Sequence, residues 1–377
     1  MKNLFILFIS MFMFCCSCFG IQDDKILNAE TGFVKHIDYI EEGETNKQIV
    51  DVLIKSGDFK GQEVEIENVL TGNPYYDILL KKHDSVVLHL EDSDDGMQFY
   101  ISDIKRVQGL YFLLGVFFLL VVLVGGKKGF MSLVATGLIV CLVVWFLTPM
   151  ILMGFNPILA TVVLCLVSSA IAVYFVGGIN FKSTSAVLGT VSSLVIASIM
   201  SCIVIAISRL TGFCCEEDVF LFTAHPELNF VGILTSAMMI SALGAVIDVA
   251  MSIASTINEI YDLNNKMTLK ELYCSGMNVG KDIIGTMTNT LILMYLGGSL
   301  PLVLLAHNID LMKFFNLNMV VTEISSALVG SIALVVCVPV TAIITAYLLE
   351  LKKKNLDKNV DFEFDNNDDS EMSSESQ

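Results

Sequence analysis

Charged residues are scarce in this sequence: Asp, Glu, Lys and Arg together make up 16% of its 377 residues. A soluble domain of ordinary composition contains about 25%, so a fold whose whole surface faces water is excluded. Basic residues are scarcer than acidic ones, with 22 Lys or Arg against 39 Asp or Glu. Because the chain lacks a basic surface of the kind that binds nucleic acid, we expect no nucleic-acid partner.

Catalytic and metal-binding motifs are missing as well. The sequence contains no HExxH, no GxSxG, no Gly-Lys phosphate loop and no paired His/Cys metal spacing. An intramembrane aspartyl protease would need two Asp inside the membrane, but Asp282 is expected near the interface, and its flank GKD lacks the Gly that follows the Asp in presenilin-like sites. We therefore expect no enzymatic activity, no cofactor and no metal.

Apolar residues, by contrast, make up 54% of the chain. Several apolar runs exceed the roughly 18 to 20 residues that cross a bilayer, which predicts a multi-pass membrane protein. The predicted fold is an all-α polytopic membrane bundle of about seven transmembrane helices within residues 107–350, preceded by a small extracytoplasmic β-domain. The predicted spans are 109–125, 131–152, 157–177, 184–208, 230–254, 285–306 and 326–349.

Residues 1–20, MKNLFILFISMFMFCCSCFG, have the layout of a secretory signal, with one Lys before a long apolar run and a cluster of small residues after it. Cleavage near residue 20, an uncleaved signal anchor and a lipoprotein signal stay open, although the residues before Cys15, Cys16 and Cys18 make a poor lipobox. Five other cysteines lie in or beside apolar runs, where Cys behaves as a small hydrophobe. The adjacent Cys214 and Cys215 are expected to be free thiols rather than a vicinal disulfide.

Residues 21–106 form a polar segment that contains 19 Asp or Glu against 9 Lys or Arg. Its runs IVDVLIKS, QEVEIENVL, SVVLHLED and MQFYISDIKRV are rich in β-branched and aromatic residues, and GDFKG, TGNP and DSDDG separate them. This pattern predicts a small β-domain. The acidic EDSDDG indicates a hairpin tip rather than a calcium loop, because the closing Glu at position 12 of such a loop is missing.

The distribution of lysines predicts the orientation in the membrane. With residues 21–106 outside, the cytoplasmic loops contain most of the lysines, and the external loops contain little beyond Lys313. We expect a bacterial plasma-membrane protein with an extracytoplasmic amino-terminal domain and a cytoplasmic carboxyl tail, residues 351–377, whose acidic, Ser-rich composition predicts disorder. The lysines assigned to the cytoplasmic side are Lys127, Lys128, Lys182, Lys266, Lys270, Lys281, Lys352, Lys353 and Lys354.

The fifth predicted span contains a carboxylate, Asp248, well inside its apolar run. Small and polar residues recur around it at intervals of three, four and seven, which places them along one face of a helix. Because an unpaired carboxylate is costly in hydrocarbon, this face is expected to meet the bundle interior or a wet cavity. The face consists of Ser241, Gly244, Ala245, Asp248, Ser252, Ser255 and Glu259.

The sixth predicted span runs antiparallel to the fifth, because a cytoplasmic connection joins them. At 1.5 Å per residue, Asp248 lies about 10 Å from the inner end of its helix and Asn289 about 12 Å from the inner end of the other. We therefore predict one polar cluster at this depth, made of Asp248, Ser252, Thr286 and Asn289. Its cytoplasmic mouth is predicted at Lys281, Asp282 and Glu259.

Two interpretations of this cluster stay open. In the first, it is a proton or cation site in a transport path, and the protein is a permease or carrier for a small solute or ion. In the second, Asp248 only hydrogen-bonds a neighbouring helix, and the protein is a non-transport scaffold whose β-domain binds an envelope protein. The expected partners are the lipid bilayer and either the transported species or the envelope protein.

Three stretches of the helical region resemble a known family. They are GFMSLVATGLIVCLVVWFLTPMILMGFNPI (129–158), GILTSAMMISALGAVIDVAMSIASTINEI (232–260) and GKDIIGTMTNTLILMYLGGSLPLVLL (280–305). Together they resemble the YibE/F-like family of bacterial membrane proteins over about residues 108–350, and a preceding β-domain is typical of that family. The resemblance implies a cell-membrane protein with several spans. It implies no particular activity, so no functional residue is carried over from it.

Overall fold

The structure of the protein is a computed structural model that describes residues 29–42, 45–93 and 96–374. The predicted signal, with Cys15, Cys16 and Cys18, lies outside these described residues. The chain divides into two compact units, Met1–Gly126 and Lys127–Gln377. Each unit is described by itself.

The first unit contains one five-stranded antiparallel sheet with the strand order β3-β2-β1-β4-β5. The edge strands β3 and β5 also contact each other, so the sheet is nearly closed. Its strands are β1 (Ala29–Glu42), β2 (Thr45–Ile54), β3 (Glu63–Leu70), β4 (Ser85–Ser93) and β5 (Gly96–Ile104). β2 to β5 coincide with the four predicted runs, which confirms the β-domain.

The central strand, β1, is the one that the sequence pattern did not reveal. It pairs with β2 over Gly32 to Glu42 and with β4 over Ala29 to Phe33. Its pairing with β2 shifts register between Val34 and His36. Such a bulge moves the following side chains to the opposite face, so the simple alternation of apolar and polar residues breaks in the middle of the strand.

One face of the sheet encloses an apolar core that includes Val50, Val52 and Leu88, each fully buried. Gln48 is also fully buried. Its side-chain amide bonds to the backbone of Leu80 in both directions, donating from Nε2 to the carbonyl and accepting from the N–H, at 3.3 Å each. These bonds satisfy a buried polar side chain and tie the β3–β4 connection to the sheet.

The remaining elements are helices. α1 and α2, with the π-helical turn Val143–Leu147 between them, form one continuous stretch from Val107 to Leu152. The helices are α1 (Val107–Leu142), α2 (Thr148–Leu152), α3 (Pro157–Gly177), α4 (Phe181–Ser208), α5 (Glu216–Ala224), α6 (Phe230–Leu263), α7 (Leu269–Gly298), α8 (Leu300–Leu305), α9 (Leu311–Phe314) and α10 (Asn318–Ser374).

Five helical stretches are long and apolar enough to cross a membrane, or six if the bent pair of α7 with Leu300–Asn308 is one broken span. The predicted number of about seven is not confirmed, because the predicted spans 109–125 and 131–152 lie in one continuous stretch. Only Gly126 in this stretch departs from helical geometry, with φ 55° and ψ −135°. The predicted span 285–306 lies within the bent pair, whose two helical parts differ in direction by 68°.

The core of the second unit lies where α4, α6 and α10 pack together, with α3 against α4 and α6 and with α7 against α6 and α10. Glycines permit the closest approaches. A Cβ on Gly189 of α4 would lie 2.9 Å from the Cβ and 3.1 Å from the Cα of Thr341 in α10. One on Gly280 of α7 would meet Val338 of α10. These contacts set the spacing of the helices.

α10 continues through Pro339 without a break. Only Asn318–Lys353 has the composition of a membrane span, while the backbone is helical as far as Ser374. The disorder that the acidic composition favours for residues 351–377 stays a prediction.

We predict that Gly189→Ala destabilises the helical unit by about 1 to 3 kcal/mol, because the added methyl group would overlap the Oγ1 of the fully buried, β-branched Thr341 and approach its Cβ and Cα to 2.9 and 3.1 Å. The matched control is Gly244→Ala in α6, where nothing lies within 4 Å of the added carbon, so the change improves helix propensity at no steric cost. Thermal unfolding of both variants in one detergent at one scan rate checks this. Equal melting temperatures would contradict the close approach of α4 and α10.

Candidate functional site

The predicted polar face of α6 is the exposed stripe of that helix. Gly244, Asp248 and Ser252 are exposed, whereas their neighbours Val246, Ile247, Val249 and Ala250 are buried. The Ser252 hydroxyl donates to the backbone carbonyl of Asp248 at 2.8 Å. Among the described residues, the Asp248 carboxylate itself has no hydrogen bond and no ion pair. It therefore lies in the middle of a membrane-type helix with both oxygens available.

α6 and α7 lie side by side, and three contacts fix their antiparallel register. The Tyr295 hydroxyl of α7 donates to the Ser241 hydroxyl of α6 at 2.6 Å. Towards the α6–α7 connection, an added Cβ on Gly280 would lie 3.3 Å from Ile253. An added Cβ on Gly276 would lie 2.5 Å from Ile257. The two glycine contacts are four residues apart on both helices, whereas the Tyr295–Ser241 bond corresponds to a register three residues away, which is less than one helical turn.

The contacts between α6 and α7 bring Asp248 to within one helical turn of the level of Thr288. Seven residues are about two helical turns, so a step of seven stays on the same face of a helix. From the Ser241–Tyr295 bond, one such step along each helix leads to Asp248 and Thr288, whereas counting from the Gly280–Ile253 contact leads from Asp248 to Gly285. The Thr288 hydroxyl is buried and has no hydrogen-bond partner in the structure. An unpaired carboxylate and an unpaired hydroxyl therefore occur within about one turn of the same level on two adjacent helices.

A second step of seven leads to Ser255 on α6 and Lys281 on α7. We name the six residues Ser241, Asp248, Ser255, Lys281, Thr288 and Tyr295 the α6–α7 seam. Its hydrogen bond between Ser241 and Tyr295 lies on one side of the Asp248 level, and the Lys281 ammonium lies on the other. A carboxylate within about one turn of a hydroxyl and two turns from an ammonium is suited to holding a proton or a small cation.

No hydrogen bond joins the side chain of any one of the four predicted cluster residues to the side chain of another in the described part of the chain, and their grouping stays a prediction. The Thr286 hydroxyl bonds back to its own helix, donating to Asp282 at 3.3 Å and Ile283 at 3.2 Å. Asn289 is exposed and lies nine residues, or two and a half turns, from Gly280, the contact point with α6 and α10. Asn289 therefore faces away from the packed side of α7.

The predicted mouth residues Lys281, Asp282 and Glu259 are all exposed. Within the described residues none of the three takes part in a salt bridge or a side-chain hydrogen bond. Glu259 is about one turn before the end of α6 at Leu263, whereas Lys281 and Asp282 are more than three turns after the start of α7 at Leu269. Only Glu259 is therefore near the 264–268 connection, and the role of the three residues as a mouth stays a prediction.

Tyr295 and Thr288 are the seam residues that sequence reasoning missed. The sequence pattern that could have revealed them is a seven-residue spacing on α7. It joins Lys281, Thr288 and Tyr295, and the same spacing joins Ser241, Asp248 and Ser255 on α6. Two helices joined by a short connection are antiparallel neighbours, so matching heptad positions can be read from the sequence. Which face of α7 meets α6 could not be read, because that depends on the glycine contacts.

Cys214 and Cys215 are both free thiols in the structure. The Asp218 carboxylate accepts hydrogen bonds from the backbone N–H of Cys214 at 2.6 Å and of Cys215 at 3.1 Å, so it caps the start of α5. Desolvation raises the pKa of both thiols. For Cys215, a hydrogen bond with Glu217 and the charge of Asp218 act in the same direction, and the pKa reaches about 11. Neither thiol has the lowered pKa of a reactive nucleophile.

Two family models match the chain. The model described as YibE/F-like protein matches residues 113–351, which include the whole α6–α7 seam. The model described as YibE/F family N-terminal domain matches residues 25–104, which include the five-stranded sheet. Comparison with curated proteins and comparison with solved structures each gave no match.

We predict that alkylation of Cys215 by iodoacetamide accelerates about tenfold per pH unit from pH 8 to pH 10 and does not level off there, because only the thiolate reacts and its pKa is about 11. Quantifying the alkylated peptide by mass spectrometry gives the rate. The same chain unfolded in urea should level off near the ordinary thiol pKa of about 8.5. A plateau below pH 9 in the folded protein would contradict the raised pKa.

Proposed function

The chain belongs to the YibE/F-like family, and we propose that its helical region is a carrier for a small solute or ion, rather than an enzyme, in the bacterial cell membrane. The observation that carries the proposal is Asp248, a carboxylate in the middle of a membrane-type helix that has no partner among the described residues. In hydrocarbon such a group is retained where it serves a proton or ion path.

In this proposal the α6–α7 seam forms the binding site. Asp248 takes up a proton or a cation, and the unpaired Thr288 hydroxyl near its level supplies an oxygen ligand. Ser252, whose hydroxyl donates to the backbone carbonyl of Asp248, and Thr286 on α7 add hydroxyl groups to the site. Because Asp248 and Asn289 are exposed in the chain, they require water or protein rather than lipid, which supports a wet path along this side of the helices.

The two ends of the seam differ, which suits alternating access. At one end the Tyr295–Ser241 hydrogen bond closes the gap between α6 and α7. At the other end Lys281, Asp282 and Glu259 form a charged mouth. The 68° bend between α7 and α8 adds a broken helix directly after Tyr295, and interrupted helices surround the binding sites of many carriers.

The proposed topology has seven crossings. The stretch Val107–Leu152 contains 46 residues and is about 69 Å long at 1.5 Å per residue, roughly twice the hydrocarbon thickness. In the proposed topology it accounts for two crossings. The other four candidate spans and the bent pair make five more. Positive charges then place the β-domain outside and the carboxyl tail in the cytoplasm.

We predict that Asp248→Asn lowers proton or cation flux in liposomes on the order of tenfold or more, because the amide keeps the shape and loses the charge. The matched control is Asp262→Asn, the same substitution two heptads later on α6, where the side chain only accepts a bond from Asn258 at 2.8 Å. Proton, metal-ion and amino-acid flux are read side by side. Equal flux in wild type and Asp248→Asn would remove Asp248 from the mechanism, and no flux in any protein would favour the second candidate.

The second candidate function is a membrane scaffold whose β-domain binds an envelope protein. Tyr39, Tyr75 and Tyr76 are 66%, 74% and 67% exposed, and the rings of Tyr75 and Tyr76 pack edge to face at 4.9 Å. The β3–β4 connection that contains Tyr75 and Tyr76 is tied to the sheet through Gln48. Rigidly held, exposed aromatic side chains are typical anchors of protein interfaces.

If the scaffold function holds, Tyr75→Ser with Tyr76→Ser weakens partner capture by on the order of thirtyfold or more, because two aromatic anchors are lost. Tyr100→Ser is the matched control, since Tyr100 is exposed on β5 and bonds within its own strand to Gln98. The measurement is quantitative mass spectrometry of proteins cross-linked to each variant in intact membranes. An unchanged set of cross-linked proteins would rule out the surface around Tyr75 and Tyr76 as a binding site for a partner protein.

A further inference from the structure

A cavity of about 410 Å³ lies at the bend between α7 and α8. Its walls are the last turns of α7, the helices α8 and α9, and the first turns of α10. The 68° change of direction after α7 leaves the space. α9 closes one side of it with Phe314, which is buried and packs edge-on against Phe315 at 5.4 Å.

The lining of this cavity is apolar except for three side chains, Tyr295, Ser299 and Glu323. The Tyr295 hydroxyl is already bonded to Ser241, so its ring faces the cavity as an apolar wall. Glu323 is half-buried, and its carboxylate has no hydrogen bond or ion pair within the described residues. None of the lining residues is basic.

These features define the chemistry of a ligand. A volume of this size suits a small molecule with an apolar body. The unpaired carboxylate at an apolar wall is stabilised by a group that is positively charged and donates hydrogen bonds. A protonated amine has both properties. A phosphate or sulfate group is disfavoured, because the lining offers a negative charge and no positive one to balance it.

We propose that this cavity is a binding site for a lipophilic amine, with the ammonium group on Glu323 and the apolar body between α8 and α9. The Glu323 carboxylate accepts hydrogen bonds from the ammonium. Phe314, Leu302 and Ala327 contact the alkyl or aryl part. A phospholipid without an amine is not the ligand, since its phosphate would meet the carboxylate with no positive charge to balance it. Equilibrium binding here does not depend on transport through the α6–α7 seam.

The test uses the full-length protein in detergent and a photoactivatable dodecylamine as the probe, with the neutral dodecanol analogue as the matched ligand. Cross-linked peptides are identified by mass spectrometry, and saturation curves give apparent affinities. The variants are Glu323→Gln, which removes the charge and keeps the shape, and Ala327→Trp, which fills the cavity. Circular dichroism and gel filtration show which variants are folded. If Ala327→Trp is not folded, Leu302→Trp is used in its place to fill the cavity.

The expected result is saturable labelling of α8 to α10 by the amine, with on the order of tenfold higher affinity than the alcohol. Glu323→Gln removes this preference and leaves the weak labelling by the alcohol unchanged, while Ala327→Trp removes both. Equal affinity for amine and alcohol, or an unchanged amine affinity in Glu323→Gln, would overturn the proposal. Displacement of the amine by phosphatidylglycerol at equal concentration would also overturn it, because that lipid has a phosphate and no ammonium group.

Discussion

A polar group in hydrocarbon has no water to bond, so its hydrogen bonds must come from the protein. Many hydroxyl side chains of the bundle meet this constraint within their own helix, although several buried ones, among them Thr190 and Thr288, have no hydrogen-bond partner. Ser193 donates to the carbonyl of Gly189 at 2.7 Å, and Thr345 donates to that of Thr341 at 2.7 Å. Such residues stay small and satisfied, which lets α4 and α10 approach through Gly189. A carboxylate cannot do this, because in its ionised form it only accepts hydrogen bonds.

Much of the fold follows from the sequence because the thickness of hydrocarbon sets the length of a span. α3, α4, α6 and α10 lie where apolar runs of sufficient length predict them. The sequence predicts two spans separated by a loop at GGKKG, because that segment has the composition of a loop. The structure instead has one stretch from Val107 to Leu152, and at GGKKG only Gly126 departs from helical geometry. Pro301 is at the start of α8, where proline favours a helix beginning, but its position does not determine the 68° angle.

The register of α6 and α7 was predictable to within about one helical turn, and the direction of their side chains was not. Counting residues from a short connection gives the register of the Ser241–Tyr295 bond, while the Gly280–Ile253 contact differs from it by three residues. Direction depends on which face of α7 packs. Gly276 and Gly280 allow close contact with α6 and α10, and this contact turns Asn289 outward. Thr288, one residue before it, is therefore the α7 residue whose unpaired hydroxyl is buried near the level of Asp248.

Tyr295 belongs both to the α6–α7 seam and to the cavity at the bend after α7. Its hydroxyl ends the seam at Ser241, and its ring lines the cavity that contains Glu323. Each place has an acid without an ion pair among the described residues, Asp248 in the seam and Glu323 in the cavity. Because like charges repel at short range in a low dielectric, an ionised acid at either place disfavours an anion. The same charge favours a cation over a neutral molecule of similar shape.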